Sequence, residues 1–194
     1  MESRTRRRHH RDELRQTILD AAVELIETHG GGFTIRLLAD RIGYSPRTVY
    51  LYYENKDTLL DAVVDRVFTQ TLESLDSAES AGTSLEALLS SQIERHMRNA
   101  LNRPRLYRAV VERLASGSYE PVPADERLRE RTAILLAGGV GVRLAGDPRD
   151  VAEVFLAALR GATTRLIGRS TGLPNDDADR TIHIFTRMTL RGLL

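Results

Sequence analysis

The chain has 194 residues, a net charge of +1 and 41% hydrophobic residues, so it can bury a core of its own and wholesale disorder is excluded. It contains no cysteine, which excludes disulfide frameworks and thiolate zinc sites and favours a reducing cytoplasm. No uncharged apolar run approaches the roughly 20 residues of a membrane span, and no apolar segment of a signal peptide follows the basic N-terminus, so no membrane partner is expected.

Basic residues dominate the first eleven positions, where the only acidic residue is Glu2. We expect residues 1–11 to form a flexible basic arm that is attracted to phosphates and can enter a minor groove. The alternative is a solvated, disordered terminus with no role in binding. The arginines of this segment are Arg4, Arg6, Arg7, Arg8 and Arg11.

An amphipathic helix is predicted over residues 12–29. Apolar residues recur there at steps of three and four from Leu14 to Leu25, with charges between them. The three glycines at 30–32 end this helix.

Two short helices and a sharp turn are predicted for the next segment. Thr34 is a cap for the second helix, and Gly43 can adopt the left-handed backbone that ends it. Ser45 then caps a third helix, with Pro46 at its first position, where a missing N–H has no cost. Asn55 is a suitable cap for a fourth helix.

The third helix has two different sides. Val49 and Tyr53 are four residues apart and should pack inward. The outward side then consists of Arg47, Thr48, Tyr50, Leu51 and Tyr52. This arrangement is that of a helix-turn-helix whose recognition helix fits the DNA major groove.

The remaining chain is predicted to be helical throughout, with no alternating strand pattern and no internal repeat. Asp125 is expected to cap the seventh helix, and Asp147-Pro148 is a strong start signal for the eighth. The prediction is therefore an all-α protein of about nine helices. Its parts are the arm at 1–11, a three-helix helix-turn-helix domain at 12–54, and a second helical domain at 55–194.

The segment from Phe33 to Leu60 carries a family resemblance. It contains T-I-R-L-L-A-D-R-I-G-Y-S, then T-V-Y-L-Y-Y, then N-K-D-T-L-L. These motifs resemble the DNA-binding domain of the tetracycline-repressor (TetR) family of bacterial transcription regulators. The similarity covers about the first third of the chain, whereas the rest agrees only in helix number and layout. Tyr53 departs from the family, which usually has Phe or another apolar residue there, so its hydroxyl requires a partner or access to water.

The resemblance implies a set of DNA-binding residues. Arg47 is the best candidate for base readout, because a guanidinium can bond O6 and N7 of guanine together. For Tyr52, packing of the side chain within the protein is an equally good explanation as a contact with DNA. The implied DNA contacts are Thr34, Arg36, Ser45, Pro46, Arg47, Thr48, Tyr50, Tyr52 and Lys56.

The resemblance also implies a ligand pocket formed by helices four to eight. A small molecule there would shift helix four and change the distance between the two recognition helices of a dimer. The candidate residues are polar or aromatic side chains on otherwise apolar helices, and each has a surface or core-capping role as its simpler alternative. They are His96, Asn99, Tyr107, Arg108 and Glu112.

Helices eight and nine are predicted to form the interface of a homodimer, since reading a symmetric site requires two copies. The alternative is that these helices complete the core of the monomer. The predicted interface residues are Val151, Val154, Phe155, Ala158, Ala162, Leu166, Ile182, Phe185, Thr189 and Leu193.

The sequence therefore predicts a regulator, most simply a repressor, that binds a pseudo-palindromic double-stranded DNA operator as a homodimer and is released by a small-molecule effector. No catalytic constellation, cofactor motif or metal-ligand spacing is present, so no enzyme activity, cofactor or metal is expected. One alternative is a helical small-molecule-binding protein or enzyme whose N-terminal domain contacts proteins. Another is a regulator that responds to a protein partner instead of an effector.

Overall fold

The structure is a computed structural model that describes residues 2–80, 82–138, 146–169 and 175–193. In these ranges the secondary structure is helical and includes no strand. The helices of the first part are α1 (Glu2–His29), a 3-10 turn η1 (Gly30–Gly32), α2 (Ile35–Ile42), α3 (Pro46–Tyr50) and α4 (Lys56–Ser80). They are followed by α5 (Leu85–Asn102), α6 (Pro104–Leu114), α7 (Pro123–Ala137), α8 (Pro148–Arg169) and α9 (Asn175–Leu193).

The first helix is longer than the sequence pattern predicts. α1 begins at Glu2 instead of residue 12, so residues 2–11 are helical and the prediction of a flexible arm is corrected. The apolar periodicity begins only at Leu14, but neither glycine nor proline interrupts residues 2–29, and arginine is a good helix former. A basic helical extension therefore precedes the amphipathic part of α1.

The start of α7 also differs from the prediction. Asp125 does not cap this helix, which begins two residues earlier, after Val122. The free N–H of Ala124 donates to the carboxylate of Asp65 at 3.0 Å, so α4 supplies the cap. Asp125 is buried and accepts a hydrogen bond from Arg129 at 2.8 Å.

The chain divides into two compact units. The N-terminal unit consists of Met1–Val64 and Arg105–Glu120, and the C-terminal unit of Asp65–Pro104 and Pro121–Leu194. This division differs from the predicted boundary after residue 54 in two respects. The N-terminal unit continues to Val64, and it also contains most of α6. The boundary between the units falls inside α4, which continues as one helix from Lys56 to Ser80.

The core of the N-terminal unit is formed by the inward sides of α1 to α4. Ile18, Leu38, Val49 and Leu59 come from these four helices and are fully buried. The apolar residues of the predicted first helix thus pack as their spacing indicates.

The core of the C-terminal unit includes residues that were predicted to contact a second copy. Phe155, Leu166 and Ile182 pack in one buried cluster with Ile93 and Met97 of α5. The prediction that these three side chains form a dimer interface is therefore corrected. They belong to the core of the monomer, because α5 of the same chain already covers them. Within the described residues, no helix has the length and apolarity needed to cross a bilayer.

Candidate nucleic-acid interface

The turn between α2 and α3 is set by Gly43. Its φ of +73° lies in the left-handed region, which side chains with a Cβ rarely adopt. The Tyr44 N–H donates to the Ala39 carbonyl at 2.9 Å, and the Gly43 N–H donates to the Asp40 carbonyl at 3.3 Å. These two bonds form a Schellman motif, which ends α2 and directs the chain into α3.

The beginning of α3 is fixed by local side-chain chemistry, as the sequence predicts. The Ser45 Oγ accepts the Thr48 N–H at 3.1 Å, and Pro46 occupies the first helical position. Helical bonds continue past the end of α3, since the Leu51 N–H donates to Thr48 O at 3.2 Å and the Tyr53 N–H to Val49 O at 3.1 Å. The recognition segment therefore consists of the helix Pro46–Tyr50 followed by one further turn that ends at Tyr53.

The inner side of this segment is anchored by Val49 and Tyr53, which are buried. The Tyr53 hydroxyl donates to the carbonyl oxygen of Arg15 at 3.5 Å, and the Arg15 guanidinium lies 5.0 Å from the centre of the tyrosine ring. The hydroxyl that departs from the family pattern thus has a partner, and the ring joins α3 to α1.

The outer side of the segment is open to solvent. Arg47 is exposed, and Tyr50 and Leu51 have exposed fractions of 50% and 70%. Ser45 is exposed as well, whereas Pro46, Thr48 and Tyr52 are half-buried. The local fold thus brings the predicted contacts from Ser45 to Tyr52 onto one short segment, in which Val49 alone is fully buried.

Thr34 and Arg36 lie at the start of α2. The Thr34 Oγ1 accepts the Leu37 N–H at 3.1 Å, which confirms its predicted capping role. The oxygen is occupied as an acceptor by this bond, so the O–H remains to donate to an external oxygen such as a phosphate. Arg36 is exposed beside it.

Lys56 has an intramolecular role that the sequence did not reveal. Its ammonium group donates to the carbonyl oxygen of Gly31 at 2.5 Å and lies 4.8 Å from the centre of the Phe33 ring. Burial lowers the pKa of Lys56, although the neighbouring Asp57 acts in the opposite direction. These contacts fix η1 against the start of α4. Its predicted phosphate contact stays a prediction.

Comparison with known proteins agrees with this geometry. The family model of bacterial regulatory proteins, tetR family, matches residues 18–63, which run from α1 into α4. The chain therefore contains a domain of the TetR family of bacterial regulatory proteins, at residues 18–63. Its relatives include an uncharacterized HTH-type transcriptional regulator of Mycobacterium tuberculosis, 29% identical over 67% of this chain and 56% of the relative. The class D tetracycline repressor of Escherichia coli is 36% identical over 39% of this chain and 34% of the repressor.

Solved structures share the TetR-family fold over nearly the whole chain. A TetR-family transcriptional regulator from Pectobacterium atrosepticum has a TM-score of 0.76 at 21% identity, with 96% of this chain and 97% of that chain covered. The FadR regulator of Bacillus subtilis, in complex with stearoyl-CoA, has a TM-score of 0.72 at 17% identity, with 92% and 96% covered. At these identities the likeness concerns the fold alone. The chain spans little more than half the length of the first curated relatives, 56% of each.

The five predicted effector residues are divided between the two units. His96 and Asn99 lie on α5 in the C-terminal unit, and Tyr107, Arg108 and Glu112 lie on α6 in the N-terminal unit. His96 is half-buried, and burial together with repulsion from Arg160 lowers its pKa to about 4, so the ring is neutral at pH 7. Asn99 is exposed.

Arg108 and Glu112 line the same cleft in the N-terminal unit, which has a volume of about 300 Å³. Arg105 is also in its wall and donates to the carbonyl oxygens of Glu27 and Thr28. These carbonyls end α1, so a positive charge there is favourable and Arg105 acts as a C-terminal cap. The full lining is Thr28, His29, Gly30, Gly31, Arg105, Arg108, Ala109 and Glu112.

The predicted interface residues on α8 and α9 differ in exposure. Val154 is 69% exposed and Ala158 is exposed as well, whereas Val151, Ala162, Phe185 and Thr189 are half-buried. The Leu193 side chain lies outside the described ones. Two exposed residues of α9, Ile184 at 46% and Met188 at 70%, were missed by the sequence analysis, which followed the more continuous stripe that proves to face the core.

Proposed function

We propose that this TetR-family chain is a transcriptional repressor that binds a pseudo-palindromic operator as a homodimer and is released by a small-molecule effector. The observation that carries the proposal is the outer side of α3, where a capped helix and its C-cap residue present Arg47, Tyr50 and Leu51 to solvent. Hydrogen-bonding and apolar side chains on a short exposed helix are the groups that read base edges in a major groove.

The proposed dimer uses the exposed apolar side of α8 and α9 in place of the buried stripe. Val154 and Ala158 are four residues apart on α8, and Ile184 and Met188 are four residues apart on α9, so each pair lies on one side of its helix. A second copy related by a two-fold axis would remove these four side chains from water as a four-helix bundle.

The effector part of the proposal rests on α4, which is one helix with its first turns in the N-terminal unit and its remainder in the C-terminal unit. A ligand that displaces α4 would change the spacing of the two recognition helices, while operator half-sites stay at fixed positions along the duplex. Two FadR regulators with this fold, from Bacillus subtilis and Thermus thermophilus, are in complex with stearoyl-CoA and lauroyl-CoA. They support a small molecule as effector, and the proposal leaves its chemical class open.

The first test is selection of bound fragments from a genomic library by the purified full chain. Enrichment of one inverted repeat is the expected result, and salt-sensitive binding with no shared motif would contradict an operator reader. The dimer is tested with Val154→Glu and Met188→Glu by sedimentation velocity, where both variants should become monomers. Ile134→Glu is the matched control, because Ile134 is 55% exposed on α7 and is not part of the proposed interface. A wild-type monomer would contradict the proposed interface.

A further inference from the structure

Leu51 is an apolar side chain in an unusual position. It is 70% exposed, although the neighbouring Val49 and Tyr53 are buried in the same turn. A single exposed leucine requires no explanation on an ordinary surface, but this one lies on the outer side of the recognition segment, between Tyr50 and Tyr52. A binding partner that contacts Arg47 would therefore also meet an apolar group.

The backbone fixes the position of Leu51 relative to Arg47. Leu51 closes α3 with helical φ and ψ of −71° and −18°, so the two residues are one helical turn apart on the same side. Four residues of helix correspond to a rise of about 6 Å, and consecutive base pairs are about 3.4 Å apart. Two side chains with this spacing reach base pairs about two steps apart or closer.

Only one base offers an apolar group in the major groove. Thymine carries a C5-methyl there, whereas the other bases present donors and acceptors, which a leucine cannot satisfy. We propose that Leu51 contacts the C5-methyl of a thymine located within about two base pairs of the base pair read by Arg47. This inference rests on the proposed function and adds a base preference to it.

Replacing thymine by deoxyuridine removes only this methyl group. Each thymine of the selected operator is replaced in turn, and the affinity of the full chain is measured by fluorescence anisotropy at constant salt. Replacement at one position in one half-site should lower the affinity about fourfold, because this factor corresponds to the free energy of burying one methylene. Replacement at that position in both half-sites should lower the affinity about fifteenfold. Leu51→Ala should bind the thymine and deoxyuridine operators equally.

Two further variants make the comparison specific. Leu51→Met keeps an apolar side chain of similar size and should still distinguish thymine from deoxyuridine. Leu37→Ala removes a leucine of α2 that is 37% exposed, and it should keep the full wild-type discrimination. Because Leu51 and Leu37 are exposed, both alanine variants should have the wild-type circular dichroism spectrum.

The outcomes separate this inference from the proposed function. Selective binding of an inverted repeat with no deoxyuridine effect near the base pair read by Arg47 would overturn the role of Leu51 alone. The same holds if Leu51→Ala keeps the wild-type discrimination. Failure to select any sequence would overturn the operator reader and this inference together.

Discussion

The ion pair between Arg113 of α6 and Asp61 of α4 should contribute strongly to the stability of the N-terminal unit. It is bidentate, with Nε to Oδ1 at 2.7 Å and Nη2 to Oδ2 at 3.0 Å. The Arg113 side chain is 6% exposed, and its hydrogen bond with Asp61 raises its pKa, so the guanidinium stays charged. Asp61→Ala would leave this buried charge with Ser118, whose Oγ and carbonyl oxygen lie at 3.1 and 3.3 Å, and with the ring of Tyr119, whose centre lies 5.5 Å away.

The expected loss follows from burial. Removing one partner of a fully buried ion pair costs about 3–5 kcal/mol, and since the Asp61 side chain is 25% exposed, water can partly replace it. We therefore expect Asp61→Ala to lower the free energy of unfolding by about 2–3 kcal/mol. The double variant Asp61→Leu/Arg113→Met removes both charges and should lie within about 1 kcal/mol of the wild type.

Urea denaturation followed by far-ultraviolet circular dichroism measures these differences as shifts of the midpoint at constant slope. Arg41→Ala is the control, because it breaks the exposed ion pair with Glu24 and should cost less than about 1 kcal/mol. The reasoning fails if Asp61→Ala costs no more than Arg41→Ala, or if the double variant is as unstable as the single one.

Three further predictions concern DNA binding and pH. Arg47→Ala should cost about 1–3 kcal/mol on the preferred operator and relax the choice at one base pair; an equal loss on every sequence would contradict base readout. Deleting residues 1–11 should reduce the salt dependence of DNA binding, measured as the slope of log affinity against log salt, and an unchanged slope would exclude phosphate contacts by this segment. The third prediction concerns His96, whose pKa is about 4 in the folded chain and 6.5 in an unfolded chain. Between pH 4 and pH 6.5 the unfolded state therefore binds more protons than the folded state. Stability should therefore fall by up to about 3 kcal/mol as pH decreases from 6.5 to 4, and urea midpoints of His96→Gln should show a flatter profile.

Local signals in the chain predicted the helix-turn-helix correctly. The caps at Thr34, Ser45 and Asn55 all accept hydrogen bonds from N–H groups three residues later, because a cap and its helix are close in sequence. Gly43 is likewise recognised from its position between two apolar stretches. The residues on the outer side of α3 follow directly from this local geometry.

Features that depend on distant residues could not be predicted in this way. The cap of α7 is Asp65, which precedes Ala124 by 59 residues, and no local pattern indicates such a partner. The sequence of an apolar helix face also does not show whether that face packs against the same chain or against a second copy. Phe155 and Ile182 could equally face a second copy, and only the position of α5 shows that they belong to the core of this chain.

The recognition helix α3 has five residues, far fewer than the roughly 12–15 that an isolated helix requires. Its conformation is therefore stabilised by Gly43, Ser45, Val49 and Tyr53. None of these four residues lies in the middle of the solvent-exposed side of the helix. A library randomised at the exposed positions of the outer side would sample new DNA-sequence preferences on an unchanged scaffold. Those positions are Arg47, Tyr50 and Leu51. If α3 reads DNA as proposed, its sequence preference can change through a few side chains without a loss of folding stability that would first have to be compensated.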